Sequence, residues 1–246
     1  KATDLNTIFF SHLHTDHFLD YARLVHSRWD QGAGQIPDLQ VYAPAYMQRM
    51  TDLLFAENGV FHPDLDGRIN SPGSQRVYQN RGGVLPRKRP SPNITPLYDT
   101  MVVESDNWKV TVREVVHQPG HIEPYAFRLE TEEGVLVYSG DTGPCENIIE
   151  LAKGADMLIH MCYFVTGTFI PAGKTVTSSG HKEAAYMAAE AGVNTLVATH
   201  FTPQMDAPGV KEQCLSEMAE MFKGRIVWGE DMMCLPLKPE EVPHAG

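Results

Sequence analysis

The apolar positions of this chain change period repeatedly, and each change marks a new element. Ile8, Phe9 and Phe10 form a short apolar run that reads as a buried strand. Phe18, Leu19, Tyr21, Ala22, Leu24, Val25 and Trp29 recur at helical spacing and predict a helix ending near Gly32 and Gly34. Leu39–Tyr42 reads as a short strand. Pro44 suits the first turn of a helix running to about Glu57, where Asn58-Gly59 stops it. Residues 60–98 show no sustained period and collect Pro, Gly, Asn and Arg, the pattern of an irregular functional loop or lid. From Met101 the period becomes two. Met101–Glu104, Lys109–Val116, Tyr125–Glu130 and Val135–Tyr138 read as antiparallel strands, with Glu133-Gly134 turning the last pair. Helices at about 145–153, 180–191 and 208–223 then alternate with strands Met157–Cys162, Thr195–Thr199 and Arg225–Trp228. A β-rich middle followed by alternating β and α predicts an α/β (α+β) layered sandwich with helices outside.

At 246 residues the pattern predicts a single domain, 1–246, with the 60–98 stretch as an insertion. A hydrophobic fraction of 42% supplies a substantial core. Lys and Arg total 20 against 31 Asp and Glu, a net charge of −11. That argues against a large electrostatic footprint for nucleic acid or anionic membrane, so a small-molecule substrate is expected and neither of those partners is favoured. Arg87-Lys88-Arg89 is the one basic cluster within 60–98 and reads as a solvated turn. No apolar run approaches the ~18 residues needed to span a bilayer. Cys145, Cys162, Cys214 and Cys234 lack CxxC spacing and read as ordinary buried thiols. The compartment is not readable from the residues ahead of the first motif.

The candidate chemistry centres on Ser11-His12-Leu13-His14-Thr15-Asp16-His17. His12 and His14 lie two apart, so on an extended chain their rings leave the same face. Asp16 and His17 follow where the chain turns into a helix, which aims them at a neighbouring point. Imidazole nitrogen with carboxylate oxygen is the ligand set of catalytic zinc, with iron or manganese as alternatives. Two ligand groups from one loop suit adjacent divalent metals. A His-rich surface loop is the bland alternative, but HxHxDH directly after a buried strand is far more specific. Later strand ends supply further donors. Val135–Tyr138 runs into Gly140-Asp141-Thr142, where an aspartate could also simply cap the next helix, and Leu196–Thr199 runs into His200. Between Val115 and His121 there are two candidates, His117 and His121, of which His117 is favoured by its place at a strand end. The other then falls to the ligand surroundings or the substrate pocket. His181 heads a predicted helix, where capping or solvation would also explain it. His160 lies in a buried strand as a hydrogen-bonded core or supporting residue, while His26, His62 and His244 have no motif context.

HxHxDH resembles the signature of the metallo-β-lactamase-fold hydrolases, which include lactonases, glyoxalase II, arylsulfatases, RNase Z enzymes and hydrolytic dehalogenases. The resemblance implies a four-layer αββα sandwich with a one- or two-metal site at one edge. It also implies β-hairpins ahead of the motif, so N-terminal strands are expected to be missing from this chain. It assigns His12, His14 and His117 to one metal, Asp16, His17 and His200 to a second, and Asp141 as the bridge. Pro119-Gly120-His121 is similar to a glyoxalase-type ligand motif and keeps His121 as the alternative. The implied chemistry is hydrolytic, a metal-activated hydroxide attacking the substrate, with Asp16 orienting that water. In RNase Z-like members a histidine in the place of His181 binds the scissile group and acts as general acid. Dimers are common among such proteins, so a homodimer is expected.

For the substrate, His181 and the order of motifs suggest an RNase Z-like phosphodiesterase. The acidic chain counts against it, as does Met161, which stands where those enzymes place an acidic residue. Trp29-Asp30, Gly59-Val60-Phe61, Gly140–Cys145 and Trp228–Asp231 resemble the branch that includes the hydrolytic chlorothalonil dehalogenase. The expectation is therefore a small, largely apolar substrate, as in dehalogenation of a chlorinated aromatic, with Phe164, Phe169, Trp228 and aromatics of 60–98 lining its pocket. Lactone or ester hydrolysis is a further alternative. A non-catalytic binding module would have lost a ligand, and none is lost. A di-iron redox member would place an acidic residue where this chain has a histidine.

Overall fold

The computed structural model describes residues 1–168 and 177–238; Phe169 and His244 lie outside the described residues. The chain divides into two compact units, one of Lys1–Leu97 and one beginning at Tyr98.

In the first unit the apolar run becomes β1 (Thr7–Phe9), which pairs in parallel with β2 (Gln40–Ala43). β2 in turn pairs in parallel with β3 (Asn93–Pro96), setting Ile8 beside Val41 and Val41 beside Ile94. Parallel neighbours need crossover connections, and helices provide them. The predicted first helix breaks at Leu19 into α1 (Thr15–Phe18) and α2 (Asp20–Gly32), and α3 spans Met47–Phe55. Phe10, Tyr21, Val25, Val41, Met47 and Leu65 bury one continuous core. Arg28, almost fully buried on α2, ties the chain start to this core. Its guanidinium donates to the carbonyls of Ala2, Thr3, Leu5 and Pro37 and to Asn6 Oδ1.

Residues 60–98 are not the irregular lid that their sequence suggests. They hold α4 (His62–Asn70), α5 (Pro72–Asn80) and the strand β3. Pro63 and Pro72 stand in first turns, where a missing N–H breaks no helical bond. Ser71 caps α5 by accepting from the Ser74 amide. Each helix has 9 residues and one buried residue, Leu65 or Tyr78, too little apolar stripe to register as a period.

The basic cluster is likewise no simple solvated turn. Arg87 keeps only 4% of its side chain exposed. Its guanidinium lies 3.7 Å from the Trp29 ring centre and 4.9 Å from that of Tyr78, and donates to Asp30 Oδ1 at 3.0 Å. Asp30 also receives Arg68 at 3.2 Å and Arg81 at 2.9 Å. Burial pushes the Asp30 carboxyl up, but hydrogen bonds from Arg87 and Arg81 outweigh it and hold the group below its ordinary value.

The second unit is a seven-stranded sheet ordered β10-β9-β8-β7-β6-β5-β4. Its strands are β4 (Val102–Glu104), β5 (Trp108–Glu114), β6 (Tyr125–Thr131), β7 (Gly134–Tyr138), β8 (Met157–Met161), β9 (Thr195–Thr199) and β10 (Arg225–Trp228). Pairing is antiparallel from β4 to β7 and parallel from β7 to β10. Helices α6 (Glu146–Ala152), α7 (His181–Ala191) and α8 (Val210–Met221) bury Ile148, Met187 and Met218 with Leu158 and Leu196 of the sheet. Two antiparallel steps give β5 the direction of β7, so β5, β7, β8 and β9 all finish at one edge. The loops carrying His117, Asp141 and His200 leave from that edge.

Replacing Asp30 by Ala should strand the buried Arg87 charge. Breaking a fully buried pair costs about 3–5 kcal/mol, and the partial exposure of Asp30 lowers the expected cost to about 2 kcal/mol. Because the native carboxyl is depressed, its contribution is present above the ordinary value of 3.8 and lost as pH falls through the native one. Urea unfolding as a function of pH tests both points; an unchanged midpoint in Asp30→Ala refutes them.

Candidate functional site

Within the first unit, four predicted ligands come together where β1 gives way to α1. His12 is fully buried, with Nδ1 3.1 Å from Ser11 Oγ and Nε2 3.0 Å from His14 Nδ1. The extended chain between them turns both rings to one side, as the two-residue spacing requires. His14 is the N-cap of α1, so Asp16 and His17 follow on its first turn. The His17 ring centre lies 4.1 Å from that of His12, and its Nε2 is 3.3 Å from Asp16 Oδ2. Asp16 remains 62% exposed.

Within the second unit, His117, Asp141 and His200 come together at the sheet edge. Asp141 Oδ2 lies 3.8 Å from His117 Nε2 and 3.3 Å from His200 Nε2. His117 is buried, and its Nδ1 donates to the Thr177 carbonyl at 2.7 Å. A carbonyl can only accept, so Nδ1 carries a proton and the ring turns its Nε2 toward the carboxylate. His117 Nε2 and the Asp141 carboxylate, held face to face, form a set that fits a divalent cation, and the carbonyl bond orients the ring as metal-ligating histidines require. The paired nitrogens of His12 and His14 suit a cation in the same way.

The backbone here is bent to the task. Gly140 takes φ +57°, turning the chain off β7 so that Asp141 meets the edge. His200 takes φ +61°, a left-handed conformation that costs a non-glycine residue on the order of 1 kcal/mol and is held where function needs it. Buried hydroxyls brace both loops. Ser139 Oγ donates to Gly140 O and accepts from Met161 N. Thr142 Oγ1 accepts from Val116 N at 3.1 Å, while Gly143 N donates to Val116 O at 2.7 Å. Ser179 Oγ donates to Thr142 O at 2.8 Å. Thus the loops bearing His117 and Asp141 are stitched together.

Other predicted residues lie apart from these sets. His121 is exposed in a turn, its amide bonded to Gln118 O, so His117 is the one brought to Asp141. His160 is fully buried, and burial pushes it down to about 4. Its Nδ1 donates to Met161 O at 2.8 Å, while Nε2 has no hydrogen-bond partner among the described residues. His181 heads α7 with no exposed surface. Its Nδ1 accepts from Thr166 N at 3.1 Å and its Nε2 donates to Glu217 Oε2 at 2.8 Å, so both nitrogens are engaged away from Asp141. Lys182, with Gln213 and His181, holds the Glu217 carboxyl down at about 2. Trp228 stacks on Phe201 at 4.0 Å, next in sequence to His200, and Phe164 is a buried core residue rather than a pocket wall. His200 borders a cleft of about 1010 Å³ floored by Leu129, Leu136, Met157, Ile159 and Val197. Sequence reasoning missed Ser11, Thr177, Ser179 and Glu217. Only Ser11, directly before HxH, carried a signal in its position.

Comparison with known proteins places this geometry. The Beta-lactamase superfamily domain profile matches residues 1–201. A Ribonuclease Z of Mycobacterium bovis (strain BCG / Pasteur 1173P2) is 28% identical over 251 aligned positions, covering 97% of this chain and 81% of its own. A Ribonuclease Z of Mycolicibacterium paratuberculosis is 30% identical over 245 positions, covering 94% and 79%. Among solved structures, the metallo-β-lactamase-fold protein YhfI from Bacillus subtilis superposes with a TM-score of 0.67 at 19% identity, over 93% of this chain and 76% of that one. Human tRNase Z, short form, gives 0.63 at 17% identity, over 97% and 82%. The last two establish the mixed α/β fold alone.

If His117 is the ligand, His117→Ala should lose bound metal while His121→Ala keeps it. Ser11→Ala, which removes the hydroxyl beside His12 Nδ1, should weaken metal affinity about 10–100-fold. Elemental analysis with a competing chelator measures both; metal loss in the His121 variant instead would reverse the assignment.

Proposed function

This chain is a metal-dependent hydrolase of the β-lactamase superfamily, and we propose that its substrate is a phosphodiester. The observation that carries the choice is the alignment of Ribonuclease Z relatives along 97% of the chain, through every candidate ligand. The Ribonuclease Z relatives support the diester reading over dehalogenation of a chlorinated aromatic.

We infer further that the two donor sets serve a single two-metal centre, for which zinc fits the nitrogen and oxygen donors best. His12, His14 and His117 would hold one ion, Asp16, His17 and His200 the other, and Asp141 would hold both. Both sets fall inside the matched stretch 1–201, which supports reading them together. When bound, such ions acidify water and stabilise charge developing on a phosphoryl group. The chain's own residues do the rest. Asp16, exposed beside His17, accepts a proton from the attacking water and aligns it. Thr177 O keeps the His117 proton on Nδ1 and so fixes which ring nitrogen faces Asp141. His181 needs release from Thr166 and Glu217 before it can donate to a leaving group.

The test is hydrolysis of bis-p-nitrophenyl phosphate by the metal-loaded protein, alongside chlorinated aromatics, lactones and aryl esters. Diester turnover should vanish with chelator, return with zinc, and be absent in Asp141→Ala. Turnover of a lactone or aryl chloride with no diester activity would overturn the substrate class.

A further inference from the structure

We propose that Glu217 of α8 is a latch on His181, holding the imidazole idle inside the helical layer until the contact opens and frees it as a proton donor. This reading rests on the phosphodiester function above. His181 is the first residue of α7, yet it neither caps the helix nor meets solvent. The cap falls to Glu183, whose Oε2 accepts from Gly180 N at 3.1 Å. The other buried positions of α7 are Ala184, Ala185, Met187, Ala188 and Ala191, so the imidazole is the one polar side chain among them. Helix formation does not account for it.

The hydrogen bonds show what is being held. Thr166 N donates to Nδ1 at 3.1 Å, and an amide can only donate, so Nδ1 carries no proton. Nε2 then carries the ring's single proton and donates it to Glu217 Oε2 at 2.8 Å. In this state the ring has no proton to spare for a leaving group.

Both anchors stand without the ring. Thr166 Oγ1 donates to Glu183 Oε2 at 2.6 Å and accepts from Lys182 N at 3.2 Å. A parallel bridge between Phe164 and Gly180 fixes the same loop. Glu217 receives Lys182 Nζ at 2.8 Å on Oε2 and Gln213 Nε2 at 2.8 Å on Oε1. The carboxylate therefore keeps a partner on each oxygen when His181 leaves, and 26% of its side chain is already exposed. Opening the latch breaks the bonds at the two ring nitrogens but strands no charge, unlike the opening of a fully buried ion pair. That asymmetry makes the contact reversible. Once Thr166 N is released, Nδ1 takes a second proton from solvent. The imidazolium gives that proton to the departing oxygen as the P–O bond breaks, and the ring returns to its neutral form.

Diesters whose leaving groups differ in their need for a proton separate this role from a structural one. p-Nitrophenolate leaves bis-p-nitrophenyl phosphate without one, whereas the phenolate of diphenyl phosphate leaves more readily when protonated. In the metal-loaded protein, Glu217→Ala should raise the ratio of diphenyl to bis-p-nitrophenyl phosphate turnover about tenfold, the effect of losing one hydrogen bond to a charged group. Glu217→Gln keeps the packing and an acceptor but drops the charge, so it should raise the ratio less. His181→Ala should lower the ratio and cancel the gain when combined with Glu217→Ala. Urea unfolding midpoints identify any variant that fails to fold. NMR of labelled histidine reads the contact itself, as slow solvent exchange of the His181 Nε2 proton in the unaltered protein and fast exchange in Glu217→Ala. An unchanged or lower ratio in folded Glu217 variants, a gain that persists without His181, or fast exchange in the unaltered protein overturns the latch. Hydrolysis of bis-p-nitrophenyl phosphate alongside any of these keeps the diester reading. No hydrolysis of either diester by any variant sinks that reading and the latch with it.

Discussion

The second unit's donor set depends on one hydrogen bond, from His117 Nδ1 to the Thr177 carbonyl. That bond turns His117 Nε2 toward Asp141 Oδ2, which also lies 3.3 Å from His200 Nε2. An arrangement of that kind persists only where the surrounding chain over-determines it. The left-handed turns at Gly140 and His200 and the hydroxyls of Ser139, Thr142 and Ser179 provide that determination. The parallel half of the sheet comes first in the causal order. Together with the two antiparallel steps from β7 to β5, it brings β5, β7 and β9 to one edge, and without that shared direction the loops could not be stitched to one another.

How much of this was legible in the sequence depended on the range of the interactions concerned. The strands of the second unit and the candidate donors at their ends were readable because alternation, strand length and a following turn are local signals. His12, His14, Asp16 and His17 were readable for the same reason, all lying within one short loop. The two helices of 60–98 were not, since Leu65 and Tyr78 are single anchors in nine-residue segments. Arg87 was misjudged because its neighbours in space, Trp29 and Asp30, lie more than fifty residues away along the chain. Burial of an arginine in stacked rings leaves no periodic trace. The Glu217 partner of His181 escaped notice similarly, being thirty-six residues distant on another helix.

The two histidines at loop and helix starts show why position alone does not settle a role. His117 follows a strand and His181 heads a helix, and both are buried. His117 spends one nitrogen on a carbonyl and turns the other to a carboxylate at the sheet edge. His181 spends both within the helical layer, on Thr166 and Glu217. The difference lies in their hydrogen-bond partners, which motif spacing does not encode.

Net charge misleads in a related way. Screening confines a surface charge to about 10 Å at 0.1 M salt, so an approaching anion responds to the local field rather than to the sum over 246 residues. The first unit is nearly neutral in total, with ten Lys and Arg against nine Asp and Glu, yet it gathers Arg68, Arg81 and Arg87 on the single carboxylate of Asp30. Segregated charge of this kind is compatible with a phosphodiester substrate, and the overall −11 is no argument against one.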